Sequence, residues 1–230
     1  METFLPTYTV TLPAAIFDWD GVVVDSSRLH VLSWERLALL EEHHLPEMVN
    51  LGSLGLKTQA VISDLLHWTH DPHEVERMTL RKEQVFRELA REHGIDSQPG
   101  VLDFLRGLKK LGIPAAVGSS APRLNVEACM EVLGAQDLFQ AVVSGDDVTH
   151  GKPAPDIFLK AAEQLGTKPE HSVVFEDATA GVKAARNAGM RVVALLTTHA
   201  REALPDADLY IKDFTDFPAE RFAGWYAGLK

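Results

Sequence analysis

Apolar residues along this chain follow two alternating patterns. Six short runs are apolar at nearly every position: 14–17, 113–117, 141–144, 172–175, 192–196 and 209–211. Unbroken apolar runs of this length suit parallel strands covered on both faces, so each predicts a buried strand. Between them lie stretches with a 3.6-residue rhythm. Segment 101–111 is apolar at 101, 102, 104, 105, 108 and 111, and Gly112 follows it as a C-cap. Segments 123–133 with Gly134, 155–165 with Gly166 and 178–188 with Gly189 repeat that design. Strand, helix, glycine, strand is the grammar of an open α/β sheet.

The stretch from about 26 to 93 departs from this grammar. It predicts helices only, at 29–42, 58–67 and 73–93. Ser97-Gln98-Pro99-Gly100 then marks a turn and hinge back to the sheet. The expected fold is therefore α/β: a doubly wound, Rossmann-like parallel-sheet core built from 1–27 and 97–230, with an inserted α-helical cap at 28–96.

Composition narrows the function. At 230 residues the chain can bury a large core and still carry an insert. A formal charge of −11 argues against broad nucleic-acid or anionic-membrane binding, but leaves room for a small basic pocket. The single cysteine, Cys129, excludes an intrachain disulfide and a thiolate metal cluster, and reads as an inert helix residue. No basic region precedes a long apolar run, and no run approaches the roughly 18 residues of a membrane span. The expectation is a cytoplasmic monomer or weak dimer.

In open α/β sheets, ligands bind just beyond the carboxyl ends of the strands. Four polar clusters fall there: Asp18 and Asp20, Ser119 and Ser120, Lys152, and Glu176 with Asp177. Brought together, their carboxylates would repel, and a hard divalent cation such as Mg²⁺ relieves that repulsion through oxygen ligands. Lys152 adds a compact positive charge, and Ser119 with nearby N–H groups can donate to phosphate oxygens. One carboxylate can attack phosphorus while a second moves the proton of the leaving oxygen. No Gly-x-x-x-x-Gly-Lys-Ser/Thr or Gly-x-Gly-x-x-Gly run is present, which removes support for nucleotide-triphosphatase and dinucleotide readings.

These clusters carry a resemblance. Asp18-Trp19-Asp20-Gly21-Val22-Val23-Val24-Asp25-Ser26 resembles the first motif of the haloacid-dehalogenase-like superfamily, and Gly118-Ser119-Ser120 the second. Gly151-Lys152-Pro153-Ala154-Pro155-Asp156-Ile157-Phe158 resembles the third, and Phe175-Glu176-Asp177-Ala178-Thr179-Ala180-Gly181 the fourth. The resemblance implies Asp18 as the nucleophile and Asp20 as the general acid/base with its backbone carbonyl on the metal. It implies Ser119 and Lys152 as holders of the phosphoryl group. Asp177 would ligate Mg²⁺, and Glu176 would do so directly or through water. The presence of Asp20 sets the chain apart from dehalogenases and phosphonoacetaldehyde hydrolases, which lack an aspartate there.

The cap resembles the β-phosphoglucomutase-like branch. His30 and Trp34 lie one turn apart, on one helix face. Lys82 resembles the branch's phosphate-reaching cap lysine, and Lys57, in Gly55-Leu56-Lys57, invites comparison with the phosphonatase lysine. Thr58 stands where the mutases carry an arginine for a second phosphate. Asn125 and Arg123 fall where they could line the phosphate crevice. The resemblance thus implies a phosphatase acting on a small phosphorylated metabolite, a sugar phosphate above all, with a mutase as the alternative and a non-catalytic phosphate binder as a third reading. Plainer roles stand beside these. Asp20-Gly21 also reads as a turn, Ser119-Ser120 as a helix N-cap, and Glu176-Asp177 as a cap for the helix from 178. Lys57 reads as a surface charge, and Trp34 as cap core.

Overall fold

The structure is a computed structural model and describes residues 12–46 and 57–229. In chain order the elements are β1 (Ala14–Phe17), β2 (Val24–Asp25), α1 (Ser27–Leu40), α2 (Thr58–Ala60), α3 (Pro72–His93), β3 (Asp96–Ser97), α4 (Val101–Leu111), β4 (Ala115–Gly118), α5 (Arg123–Leu133), β5 (Ala141–Val143), α6 (Asp156–Gln164), β6 (Ser172–Glu176), α7 (Thr179–Asn187), β7 (Arg191–Leu195), β8 (Leu209–Ile211) and α8 (Ala219–Ala227). Six strands form one parallel sheet in the order β5-β4-β1-β6-β7-β8. The doubly wound α/β core expected from the sequence is therefore present.

Alternate strand residues enter opposite cores, as the pleat requires. Ala15 and Phe17 face a cluster that includes Phe104, Phe175, Phe214 and Phe222. Ile16 faces the other side, with Phe158, Val174 and Val182. Helices cover both faces, which explains why the strands read as continuous apolar runs. Phe17 stacks on Phe175 with ring centroids 4.6 Å apart, locking β1 to β6.

The helical segment has its own small core of Trp34, Leu37, Val61, Ile62 and Met78. Its entry and exit strands pair as a short antiparallel ribbon, Val24 opposite Ser97 and Asp25 opposite Asp96.

Several boundaries differ from the sequence pattern. Strand β4 starts at Ala115 rather than at 113, because Pro114 lacks an N–H and the Ile113 N–H closes the end of α4 on Leu108. β5 stops at Val143, since Ser144 caps the 3₁₀ turn Gly145–Asp147. The expected helix at 58–67 is one α turn followed by a π-helical segment, Val61–Leu65, and His67 takes a positive φ of 51°. Helix α8 was not foreseen, although it buries Ala219, Phe222 and Tyr226 along one face. The β2–β3 ribbon has two residues per strand, too few to leave a periodic signal.

Candidate active site

Sheet order decides which strand ends meet. β1 lies at the centre with β4 on one side and β6 on the other. The chain winds away from β1 in both directions, which makes its carboxyl end the topological switch point. Register completes the alignment. Phe17 pairs with Val117 on one side and Phe175 on the other, so Asp18, Gly118 and Glu176 end their strands at one level. The Asp18 N–H donates to Phe175 O at 3.0 Å and the Ser119 N–H to Val143 O at 3.0 Å, fixing both residues to the sheet edge.

Carboxylate oxygens of Asp18, Glu176 and Asp177 lie within 4.8 Å of one another. The Lys152 ammonium joins two of them, with Nζ 2.9 Å from Asp18 Oδ1 and 2.7 Å from Glu176 Oε1. Nζ also lies 4.9 Å from the Phe158 ring centroid. Glu176 is fully buried. Its Oε2 accepts the N–H groups of Asp177 and Ala178, both at 2.8 Å. These N–H groups belong to the turn before α7, whose N-cap is Ala178 with no side-chain cap, so Glu176 holds that turn and Lys152 rather than capping the helix.

Charges set the protonation tendencies. Burial alone would lower the Lys152 pKa, but the Asp18 and Glu176 carboxylates outweigh it and hold the ammonium firmly protonated. Burial and mutual repulsion raise both Glu176 and Asp177 above the usual carboxylate range. Burial pushes Asp20 up to about 6, against a hydrogen bond from Ser26, with Asp18 adding to the rise. Three crowded carboxylates facing one ammonium leave a local excess of negative charge. Hard oxygen donors with that excess fit a divalent cation such as Mg²⁺. The Asp20 carboxylate stands apart from this trio and accepts from Ser26 Oγ.

Glycines make room for the carboxylates. Gly21 has φ +77°, and a Cβ there would sit 2.0 Å from Asp177 Oδ2. A Cβ on Gly181, in the first turn of α7, would sit 1.6 Å from Glu176 Oε1. Thr198, in the loop after β7, lies beside Asp177 and favours its ionised form. Sequence reading assigned no role to Gly181, Ser26 or Thr198. Gly181 lay inside a quoted motif, whereas Thr198 carried no signal at all.

The remaining expected residues divide into three groups. Ser119 is buried, and its Oγ accepts the Ala121 N–H at 3.1 Å, an interaction that leaves the hydroxyl proton unused; Ser120 is exposed. Neither hydroxyl caps α5, whose N-cap is Pro122.

His30, Trp34 and Lys82 converge in the helical segment. Lys82 is 2 % exposed, and its Nζ lies 2.9 Å from His30 Nδ1 and 5.5 Å from the Trp34 ring centroid. Lysine can only donate, so Nδ1 accepts and the imidazole proton sits on Nε2. Burial and the Lys82 charge depress the His30 pKa well below 6.5, and burial lowers that of Lys82. Trp34 is also core, edge-on to Trp68.

Asn125 joins the Lys82 group through Glu83, whereas Arg123 and Lys57 lie elsewhere. Asn125 is buried between Glu83 and Arg87. Arg123 does not line the crevice: its guanidinium bonds Val142 O and Asp147 and braces the loop after β5. Lys57 is exposed at the start of α2, and Gly55 and Leu56 lie outside the described residues. A groove of about 500 Å³ between β8 and α8 contains none of these groups.

Comparison with known proteins agrees with this geometry. Residues 12–189 match the haloacid dehalogenase-like hydrolase family. A chloroplastic 5-amino-6-(5-phospho-D-ribitylamino)uracil phosphatase of Arabidopsis thaliana is 34% identical over 86% of this chain, which spans 53% of that protein. A validoxylamine A 7'-phosphate phosphatase of Streptomyces hygroscopicus subsp. limoneus is 31% identical over 88% of this chain and 94% of its own length. The crystal structure of a β-phosphoglucomutase from Clostridium difficile superposes with a TM-score of 0.79 at 25% identity, covering 95% of this chain and 98% of that one. The chain belongs to the haloacid dehalogenase-like hydrolases. Relatives at 31–34% identity are named as phosphatases, and the chain's reaction class is hydrolysis of phosphate monoesters.

Proposed function

We propose that the chain hydrolyses a small, polyhydroxylated phosphate monoester with Mg²⁺, through a phosphoryl group carried on Asp18. The observation that carries this reading is the trio Asp18, Glu176 and Asp177 held on Lys152 at the sheet's switch point. In this reading the core comprises 1–27 and 97–230, and the cap 28–96.

Asp18 is taken as the attacking group, a role supported by its being partly exposed while Glu176 and Asp177 are buried. Its carboxylate displaces the alcohol from phosphorus, forming an acyl phosphate; water then attacks the same phosphorus in a second in-line step, releasing phosphate and restoring the Asp18 carboxylate. Asp20 supplies the proton to the leaving oxygen and takes one from the water. A pKa of about 6 keeps both forms accessible near neutral pH. Lys152 and the Ser119 hydroxyl hold the phosphoryl oxygens. Mg²⁺, held by Asp18, Asp177, Glu176 and the Asp20 carbonyl, would neutralise charge on the phosphoryl group. Closure of the helical segment, carrying His30, Trp34 and Lys82, excludes bulk water and leaves catalysis mostly to positioning and charge. The ribityl phosphate in one relative's name supports a polyol-like leaving group.

The test is phosphate release from p-nitrophenyl phosphate and a panel of sugar and polyol phosphates with Mg²⁺. Turnover should vanish in Asp18→Asn and in EDTA. Conversion of β-glucose 1-phosphate to glucose 6-phosphate without net phosphate release would replace this reading by a mutase. Absence of turnover across the whole panel would favour a phosphate-binding protein.

A further inference from the structure

Glu83 follows Lys82 in α3, and both side chains are buried, at 7% and 2% exposure. Three donors converge on the Glu83 carboxylate. Oε1 accepts from Thr58 Oγ1 at 2.6 Å and from Lys82 Nζ at 3.3 Å, and Oε2 accepts from Asn125 Nδ2 at 2.6 Å. The Asn125 amide orientation is fixed, because Arg87 Nη1 donates to its Oδ1 at 2.8 Å. Asn125 sits in the first turn of α5, a few residues after Ser119 at the end of β4. On its other side, Lys82 meets His30 and lies close enough to Asp20 for each charge to act on the other. Glu83 therefore stands where the helical segment meets α5, beside the lysine whose charge acts on Asp20.

A buried anion at that place has a chemical consequence. Lys82, the cation best placed to take a second anionic group, is already paired with Glu83. The pair is neutral, and the Asn125 amide nitrogen donates to the same carboxylate. A second phosphate would have to strip these donors from Glu83 and then lie against its charge. A hydroxyl can replace any one donor, since it both donates to the carboxylate and accepts from Lys82 or Asn125.

The geometry points to Glu83 as a specificity-determining residue that selects leaving groups bearing uncharged hydroxyls and turns away those carrying a second anionic group. The assignment rests on the phosphatase reading above. It is tested with fructose 1-phosphate and fructose 1,6-bisphosphate, which differ only in the charge at the far end. Each is used as a substrate and as an inhibitor of wild-type p-nitrophenyl phosphate hydrolysis. The monophosphate should be favoured at least tenfold, in kcat/KM or in inhibition constant. Glu83→Gln should shrink that preference at least fivefold, chiefly through a lower KM or inhibition constant for the bisphosphate. The wild-type inhibition constants decide the matter if the variant does not fold. Equal or tighter wild-type binding of the bisphosphate, or an unchanged preference in a folded Glu83→Gln, overturns the role of Glu83 alone. Absence of p-nitrophenyl phosphate turnover overturns the phosphatase reading and this one with it.

Discussion

Replacing Asp177 by Asn should stabilise the metal-free protein while removing its response to Mg²⁺. Asp177 shares a volume with Asp18 and Glu176, all within 4.8 Å. At an effective dielectric constant of about 20, each ionised like-charge pair at that separation costs about 3 kcal/mol. Lys152 bonds Asp18 and Glu176, so Asp177 has the least direct compensation of the three. Burial, and after it the Asp18 charge, raises its pKa, so the folded protein binds a proton that the unfolded chain has already lost. Stability is thus fully present below the ordinary carboxylate pKa of 3.8 and falls as pH rises through the raised folded value. Lys152 cancels the charge of one of the two neighbouring carboxylates, so one uncompensated pair remains, and Asn cannot ionise. Allowing about 1 kcal/mol for polar contacts that Asn makes less well, the net gain at pH 8 in EDTA is about 2 kcal/mol. For a domain of this size that raises Tm by about 4–8 °C. Mg²⁺ at a hundred times its dissociation constant should stabilise the wild type by about 2.7 kcal/mol, and the variant scarcely at all. Urea unfolding at pH 8, with EDTA and with saturating Mg²⁺, measures both quantities. A destabilised Asp177→Asn in EDTA, or a variant that keeps the full Mg²⁺ response, would refute the crowded-carboxylate reasoning.

Other consequences follow from the same contacts. Lys152→Met leaves Asp18 and Glu176 facing each other without their shared cation; it should cost about 3–5 kcal/mol in urea unfolding and reduce phosphate release by at least a thousandfold. Gly181→Ala places a methyl group 1.6 Å from Glu176 Oε1, so it should displace that carboxylate and weaken Mg²⁺ affinity by calorimetry without abolishing the fold. His30 is held neutral by burial and by Lys82, whereas the unfolded chain takes up a proton below its ordinary pKa of 6.5. Stability should therefore fall below pH 6.5 by an extra ~1.4 kcal/mol per pH unit, and His30→Gln should remove that slope from pH-dependent unfolding curves.

Much of the core was legible because its signals are local. β1 and β6 are apolar at almost every position because helices cover both sheet faces, and that pattern survives in a linear string. Gly112 and Gly134 end their helices in the left-handed conformation for a reason equally local. The helical segment was less legible. Residues 58–67 carry a helical rhythm, but the turn after Ala60 widens to a π-helix while packing Val61 and Ile62 against Trp34 and Met78. No propensity encodes that adjustment. Arg123 shows the same limit. A cation at a helix start reads as a residue that could line the crevice or stand exposed, yet it pairs with Asp147, twenty-four positions along the chain.

By itself the sequence determined the alternation of strands and helices, the helical interruption and the polar clusters at strand ends. These depend on side chains acting within a few residues of one another. The tertiary structure decided which ends meet: β1 lies between β4 and β6, and this order brings residue 18 beside 176 and 177. It also decided that Lys152 spans two carboxylates, that Gly181 leaves space for one of them, and that Glu83 neutralises Lys82. Charge and shape at these points come from groups distant in the chain and adjacent in space, and their energies vary with distances that no local pattern records.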